Sequence, residues 1–283
     1  LIQHFLSLVS AVSSGNRKSQ IFSDYKSSYS VTTLSPPSAF TCTSLSDFFL
    51  VNAQHPHKPP AQSVSTLSAK QRRRLLQFIQ CNKWHSDFFH NDNPIILELG
   101  CGRGEYTVAL ARRFPEKNFI GVDIKGARIW KGAKYAEEHG LKNVGFLRTR
   151  IEFIESIFAP GEVAEIWITF ADPQIGREKK RLTAPLFMNR YRNFLKPGGI
   201  VHLKTDSRYL HEYSRAMAEQ NDLKILACAT DIYGADRERL YESGLSSLCG
   251  RSAVDALFEV QTFYESQYLA QGFPITYLSF LAD

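Results

Sequence analysis

Three glycines follow a short apolar run, and their spacing is typical of a loop that binds a nucleotide-like ligand. The run Ile95–Leu99 predicts a buried strand, and Gly100, Gly102 and Gly104 follow it before a helical stretch that starts at Glu105. Glycines at a strand-to-helix turn allow positive φ and let a ligand approach the backbone closely. A dinucleotide site requires its third glycine at position 105, so the glutamate there disfavours a nicotinamide cofactor and an oxidoreductase.

The acidic residue inside this strand indicates another class of ligand. From Glu98 the pattern acidic-x-Gly-x-Gly-x-Gly resembles motif I of class I methyltransferases, which use S-adenosylmethionine. The resemblance implies that Glu98 accepts a hydrogen bond from the methionine ammonium group of that cofactor, directly or through water. It also implies that Gly100 and Gly102 lie against the cofactor.

Two residues at the ends of the next strands are further candidates for the cofactor site. Asp123 closes the run Phe119–Val122, nineteen residues after Gly104. A carboxylate at this strand end can accept two hydrogen bonds from the adenosine ribose, and the spacing favours this role over a helix N-cap. Arg150 follows the third strand, where many such enzymes place Asp or Asn against the adenine. Arginine cannot accept a bond from the adenine amino group, so it contacts the ring in another way or forms a surface salt bridge.

Two carboxylates follow the strands on the other side of the glycine loop. Asp172, followed by Pro173, comes after the run Ile166–Phe170, and Asp206 comes after Ile200–Leu203. In class I methyltransferases an acidic residue followed by proline at this strand end faces the transferable methyl group. We therefore predict that Asp172 is the catalytic residue.

A basic cluster follows Asp172 and lies beside the predicted active-site mouth. Its members are Arg177, Lys179, Lys180 and Arg181. A solvated helix start is the alternative interpretation, but the position of the cluster favours contacts with phosphates.

Alternating strands and helices must position these residues. Seven apolar runs predict strands at Ile95–Leu99, Phe119–Val122, Val144–Leu147, Ile166–Phe170, Ile200–Leu203, Leu223–Ala227 and Ile275–Phe280. Helical stretches between them include Glu105–Phe114, Gly126–His139, Pro185–Leu195 and Tyr209–Gln220. Strands separated by helices form βαβ units with helices on both faces of the sheet. We predict an α/β, Rossmann-like fold with a seven-stranded, mostly parallel sheet whose last two strands are antiparallel.

The first 75 residues differ in composition from the rest of the chain. Sixteen of the first 70 residues are serine, and apolar residues show no lasting period. Such a segment buries too little apolar surface to offset its ordering entropy. We predict a low-complexity, disordered leader at 1–75 and a methyltransferase domain at 76–283. The leader is interpreted as upstream translation or a fragment end, with an organelle transit peptide as the alternative.

The net charge and the cysteine spacing indicate which partners, metal sites and compartments fit this protein. The net charge is +6 and the pI about 9.0, which permits a polyanionic partner without requiring one. The five cysteines include no Cys-x-x-Cys pair, which disfavours a disulfide framework or a zinc site. No run approaches 18 apolar residues. We therefore expect no metal, no membrane partner and a cytoplasmic location, and the sequence leaves monomer and homodimer open.

Several motifs together resemble the bacterial tRNA (guanine-N7-)-methyltransferase family. They are, in chain order, Leu-Glu-Leu-Gly-Cys-Gly-Arg-Gly-Glu, Gly-Val-Asp-Ile-Lys-Gly, Phe-Ala-Asp-Pro, Lys-Lys-Arg-Leu, His-Leu-Lys-Thr-Asp and Thr-Phe-Tyr-Glu. The resemblance spans residues 84–281. It implies that the cofactor is S-adenosylmethionine, held at Glu98, Asp123, Arg150 and Asp172.

The same resemblance implies a tRNA substrate, methylated at N7 of a guanosine in the variable loop. The residues implied around the guanine are Asp172, Asp206, Thr262, Phe263, Tyr264 and Glu265. This chain departs from the family at Ala171, Gln174 and Gly176 and has a shorter loop there, so we expect Arg177 to make a contact that a lysine makes in relatives. The stretch 231–252 matches the family poorly, and we interpret it as an insertion.

Guanine N7 carries a free lone pair, so its methylation needs alignment and charge stabilisation rather than a base. No Cys or His nucleophile lies near the motifs. The alternatives are a class I methyltransferase for another RNA base, a protein or a small molecule, and a non-catalytic RNA-binding module on the same fold. Asp206 and Thr262–Glu265 argue against the small molecule, and the intact glycine loop with its acidic residues argues against the binding module.

Overall fold

The computed structural model describes residues 49–51 and 84–283. Its strands are β1 (Phe49–Val51), β2 (Ile95–Leu99), β3 (Asn118–Asp123), β4 (Val144–Arg148), β5 (Val163–Thr169), β6 (Leu195–Thr205), β7 (Ile225–Ala229) and β8 (Thr276–Leu281). Its α-helices are α1 (Glu105–Arg113), α2 (Gly126–Glu138), α3 (Pro185–Arg192), α4 (Arg208–Gln220), α5 (Arg237–Tyr241), α6 (Gly244–Cys249), α7 (Arg251–Glu259) and α8 (Phe263–Ala270). One π-helical turn (Trp84–Phe89) and two 3₁₀ turns (Ile151–Ser156 and Glu178–Lys180) complete this part of the chain.

These strands form one sheet in the order β1-β4-β3-β2-β5-β6-β8-β7. The five strands β2 to β6 pair with one another in parallel. β8 is antiparallel to both of its neighbours, β6 and β7. The seven predicted strands and the antiparallel last pair are confirmed. The last pair is not a simple hairpin, because helices α5 to α8 connect its two strands.

The sheet has one strand more than the sequence predicted. β1 pairs antiparallel with β4 at the edge of the sheet, with Leu50 opposite Leu147. These three residues lie within the segment 1–75, which was predicted to be a leader without structure. The rest of that segment lies outside the described residues, and the division of the chain at residue 75 stays a prediction.

Helices cover both faces of the sheet because the central strands are apolar on both sides. β2 and β3 are buried at every position. Alternate residues face opposite layers: Leu97 and Leu99 belong to one apolar cluster, and Ile96 belongs to the other. Glu98 therefore points toward the same layer as Ile96, where it meets α1.

The strand order reverses at β2, which lies between β3 and β5. In open α/β sheets a crevice forms outside the carboxyl ends of the strands at such a switch point, and ligands bind there. The loop after β2, with its three glycines, lies at this point. No helix among the described residues is long and apolar enough to cross a membrane.

Candidate active site

A cavity of about 330 Å³ opens at the carboxyl edge of the sheet. It is lined by Gly100, Asp123, Ile124, Thr149, Arg150, Ile151, Glu152, Gln174, Arg177, Lys180, Leu182 and Phe187. The lining thus brings together the glycine loop, the end of β3, the segment after β4 and the loop after β5. Small-molecule sites in proteins commonly have volumes of about 300–1,000 Å³.

The glycine loop has the backbone that only glycine adopts easily. Gly100, Gly102 and Gly104 have φ of 80°, 56° and 73°. A side chain at Gly104 would collide with the ring of Phe146 on β4, whereas nothing lies within 4 Å of a Cβ placed at Gly100 or Gly102. The loop is therefore packed on its inner side and open on the side that a ligand would approach.

Asp123 lies at the end of β3 and borders both the loop and the cavity. Its Oδ2 accepts a hydrogen bond from the Gly102 N–H at 3.0 Å, and its Oδ1 accepts one from the Lys125 N–H at 2.7 Å. A carboxylate offers about four acceptor positions, so this group can still accept bonds from hydroxyls in the cavity. The predicted ribose position is thus at the cavity wall.

Glu98 lies beneath the loop and does not line the cavity. Its carboxylate is buried, and it accepts hydrogen bonds from Thr107 Oγ1 on α1 and from Thr169 Oγ1 on β5, the latter at 2.5 Å. Burial raises the pKa of Glu98 to about 7, although the two threonine hydroxyls oppose that shift. Glu98 therefore changes its charge near neutral pH in the protein without ligand.

This raised pKa makes the stability of the free protein depend on pH. Because the pKa of Glu98 is about 7 when folded and about 4.5 when unfolded, its contribution to stability is complete below pH 4.5. That contribution is lost as pH rises to 7, at about 1.4 kcal/mol per pH unit. We expect the free energy of unfolding of the native protein, minus that of Glu98→Gln, to fall by roughly 3 kcal/mol between pH 4.5 and 8. Urea unfolding at both pH values measures this difference, and an unchanged difference would contradict the assignment.

The loop after β5 carries Asp172, which does not line the cavity, and Gln174, which does. Its backbone is unusual, because Phe170 and Gln174 have φ of 48° and 50° although neither is glycine. Asp172 is exposed, and its Oδ1 accepts a hydrogen bond from the Gln174 N–H at 2.8 Å. The Gln174 side chain lines the cavity, and its buried Oε1 has no hydrogen-bond donor among the described residues. Sequence reasoning noted Gln174 only as a departure from the family, although its place two residues after Asp172 could have marked it.

The basic cluster after Asp172 divides into exposed and buried members. Three members are exposed: Arg177, Lys179 and Lys180. Of these, Arg177 and Lys180 also line the cavity. The prediction of a phosphate contact is wrong for Arg181, which is 4% exposed. Its Nε donates to the Pro173 carbonyl at 3.1 Å, and its guanidinium lies over the ring of Tyr213 on α4 at 4.3 Å. This arginine fastens the Asp172 loop to α4.

Asp206 lies directly after β6, the strand adjacent to β5. It is half-buried, and the next residue, Ser207, caps α4 by accepting a hydrogen bond from the Leu210 N–H at 3.2 Å. Because parallel neighbouring strands end at the same edge of a sheet, the structure brings Asp172 and Asp206 to the same side of the glycine loop. Arg150, in contrast, lines the opposite part of the cavity and is partnered by Glu152 at 3.3 Å.

The segment Thr262–Glu265 forms the N-terminus of α8. Thr262 and Glu265 form a capping box, with Thr262 Oγ1 accepting from the Glu265 N–H. Phe263 and Tyr264 are about half exposed. The Phe263 N–H donates to Glu105 Oε2 at 2.8 Å, which joins α8 to the start of α1 beside the glycine loop.

Glu265 was predicted to contact the substrate, but the structure places it in the interior. Its side chain is completely buried and pairs with the completely buried Lys204 on β6 at 2.6 Å. Lys204 also donates to the carbonyls of Leu257 and Val260, and Tyr233 donates to the Glu265 carboxylate. Burial lowers the pKa of Lys204 to about 8, with Glu265 opposing that shift. This ion pair, which no sequence pattern indicated, anchors the N-terminus of α8.

The chemistry of the lining can be tested against S-adenosylmethionine. The cavity combines a carboxylate with spare acceptor positions, an open glycine loop, apolar side chains from Ile124, Ile151 and Leu182, and the unpartnered Gln174 Oε1. These groups fit a ligand with a ribose, a purine and a positively charged tail. No group of three or more His, Cys, Asp or Glu side chains that could hold a metal ion occurs in the described parts of the chain.

Comparisons with known proteins identify relatives of this chain. Residues 92–240 match a family model described as a putative methyltransferase. The chain is 52% identical over 198 residues to a tRNA (guanine-N(7)-)-methyltransferase of Bacteroides thetaiotaomicron. This match covers 70% of this chain and 72% of the relative. The chain is 53% identical over 200 residues to the protein of that name from Christiangramia forsetii (70% and 83% covered) and 31% identical over 195 residues to that from Listeria monocytogenes (68% and 82% covered). A structural comparison matches the 16S rRNA methyltransferase KamB with a TM-score of 0.49 and 13% identity, covering 82% of this chain and 99% of that protein.

The sheet order, the glycine loop and Asp123 at the end of β3 define the class I fold of S-adenosylmethionine-dependent methyltransferases. Within that class, the sequence identities show that the chain belongs to the tRNA (guanine-N7-)-methyltransferase family. The resemblance on which the sequence analysis relied is thereby confirmed.

Proposed function

We propose that the protein transfers the methyl group of S-adenosylmethionine to N7 of a guanosine in tRNA, in the variable loop. The observation that carries the proposal is the cavity at the switch point. Its lining includes the glycine loop, Asp123 and Gln174, and Gln174 is hydrogen-bonded to Asp172. The names of the relatives support the choice of tRNA and of N7. A cytoplasmic location is part of the proposal and is supported by that substrate.

The lining indicates how the cofactor would be held. Asp123 would accept hydrogen bonds from the ribose hydroxyls, and the exposed Ile124 and the half-buried Ile151 would pack against the purine. The open side of Gly100 and Gly102 would face the methionine part, with Glu98 beneath it acting through water, since its carboxylate is not in the lining. When bound, the cofactor supplies a methyl group on a sulfonium, which needs no further activation.

Removal of the Asp123 carboxylate should weaken cofactor binding. We expect Asp123→Ala to cost about 1–3 kcal/mol of S-adenosylmethionine affinity, because charged hydrogen bonds to the ribose are lost. Calorimetric titration measures this change, with Asp92→Ala, an exposed aspartate outside the site, as the matched control. Equal affinities of the two variants, or tight binding of NAD in place of S-adenosylmethionine, would contradict the assignment.

The carboxylates beyond the cavity suit a guanine. Asp172 and Asp206 follow adjacent strands and can accept hydrogen bonds from the guanine N1–H and amino group. They also attract the positive charge that develops on the purine as N7 is methylated. Phe263 and Tyr264 would contact the nucleotide from α8, while Thr262 and the buried Glu265 hold that helix end in place.

The exposed basic residues beside the cavity should bind tRNA phosphates. Each phosphate contact contributes about 0.7–0.9 to the slope of log affinity against log salt. We expect the triple variant Arg177→Gln, Lys179→Gln, Lys180→Gln to flatten that slope by about 2.

Arg181→Gln is the informative contrast, because this neighbouring arginine is buried. It should lower the free energy of unfolding and leave the salt slope unchanged. An unaltered slope in the triple variant would place the phosphate contacts elsewhere.

A nucleotide analogue tests the proposed target atom. A tRNA transcript made with 7-deazaguanosine has a carbon in place of N7 and lacks the attacking lone pair. The proposal requires methyl transfer to the ordinary transcript and none to the analogue, although the two should compete equally for binding. Equal methylation of both transcripts would show that another atom is the acceptor.

A further inference from the structure

A row of cations lies on the side of the cavity away from Arg177 and Lys180. It consists of Lys125, Arg128 and Lys131 on and just before α2, together with Arg103 in the glycine loop; we call these four residues the cationic strip. All four are exposed. Successive members of the first three are three residues apart and therefore lie beside one another along α2, whose buried residues include Ile129 and Ala133.

The strip is continuous with the proposed substrate side. The Arg103 guanidinium lies 5.7 Å from the centre of the Phe263 ring, on the exposed end of α8. The Arg103 carbonyl packs against Gly132 of α2, where a Cβ would come within 2.8 Å of that oxygen. Arg103 therefore connects α8, which carries the aromatic pair Phe263 and Tyr264, with α2, which carries Arg128 and Lys131.

Lys125 and Arg128 lie where a positive charge is unfavourable for the helix itself. A helix N-terminus carries a partial positive charge, so cations there are unfavourable, and the first turn of α2 contains no acidic residue. Lys134, further along α2, pairs with Glu138 at 3.5 Å. In contrast, Lys125, Arg128 and Lys131 form no ion pair within the described parts of the chain. Arg103, the fourth member of the strip, does pair with Glu105, at 3.9 Å. The three unpaired cations beside it fit an extended anion.

We propose that the cationic strip binds a second stretch of the tRNA backbone, on the opposite side of the target nucleotide from Arg177 and Lys180. The inference rests on the proposed function. Ile124, which directly follows β3 and precedes Lys125, lines the cavity, and Arg177 and Lys180 line it from the loop after β5. Phosphates on both sides of a guanosine at the cavity would then be held at once, which fixes the orientation of the RNA rather than its sequence.

The test compares two triple variants with equal changes of charge. One carries Lys125→Gln, Arg128→Gln and Lys131→Gln. The control carries Lys142→Gln, Lys196→Gln and Lys224→Gln, three exposed lysines at the amino ends of β4, β6 and β7, on the opposite edge of the sheet. The affinity for an unmodified tRNA transcript is measured over a series of salt concentrations, beside S-adenosylmethionine affinity and an unfolding curve. Arg128→Gln alone provides a milder variant if the first triple variant does not fold.

The strip variant should reduce the salt slope by about 2, and Arg128→Gln alone by just under 1, whereas the control should leave the slope unchanged. S-adenosylmethionine affinity should stay within twofold in all variants. A strip variant whose slope equals that of the control would overturn this inference alone. Failure of the unaltered protein to bind tRNA would overturn the proposed function, and this inference with it.

Discussion

Asp172→Asn should reduce methyl transfer to tRNA by about 100-fold or more while the protein stays folded, if charge stabilisation is worth a few kcal/mol at this site. The substitution keeps the size of the side chain and removes its charge. An asparagine oxygen can still accept the hydrogen bond from the Gln174 N–H that holds the loop, so the melting temperature should change little. Because N7 attack needs no proton removal, raising the pH should not restore the rate.

Single-turnover methylation by this variant, beside its unfolding curve, tests the role of Asp172. Asp92→Asn is a suitable control, since Asp92 is also exposed and lies before β2, outside the site. A stable Asp172→Asn protein with a near-normal rate would show that the carboxylate only shapes the loop after β5. The assignment of the catalytic residue would then be wrong.

The largest loss of stability is expected from Lys204→Met. This change leaves Glu265, which is completely buried, without its cationic partner. Breaking a buried ion pair on one side typically costs about 3–5 kcal/mol, because an uncompensated charge remains in the interior. Urea unfolding at pH 7 measures the loss, which includes the loosened N-terminus of α8.

A second substitution separates the charge from the packing. Adding Glu265→Gln to Lys204→Met should recover part of the lost stability, because a neutral amide costs less to bury than a carboxylate. Tyr233 and the Thr262 backbone can still donate to the amide oxygen. If Lys204→Met alone remained within about 1 kcal/mol of the native protein, the ion pair would not be the anchor of α8.

The core of the fold was predictable because its strands are apolar on both faces and are separated by amphipathic helices. Each of the seven predicted strands overlaps an observed one, and α1 and α2 begin at the predicted residues Glu105 and Gly126. The glycine loop was predictable for a related reason: positive φ at three alternating positions requires glycine. β1 was not predictable, since three residues are too few to show a period and their partner β4 lies almost a hundred residues later in the chain.

Local sequence did not show which charged side chains are buried. Arg181 stands in a run of basic residues that suggests a surface, yet its partners Tyr209 and Tyr213 come from α4, about thirty residues later. Glu265 shows the same limit, because its partner Lys204 lies on β6, whose interior position depends on the pairing with β8. Such long-range contacts decide whether a charge meets a ligand or supports the residues that do.

Nucleoside mass spectrometry of tRNA, after incubation with the protein and S-adenosylmethionine, tests the central claim most directly. Digestion of the treated tRNA to nucleosides identifies the methylated base, and digestion to oligonucleotides locates it. We predict new 7-methylguanosine in the variable loop, and less of it with protein that carries Asp123→Ala at limiting cofactor concentration. A folded protein that binds S-adenosylmethionine and yields a methyl group on any other atom or base, or no methylated nucleoside at all, would contradict that claim.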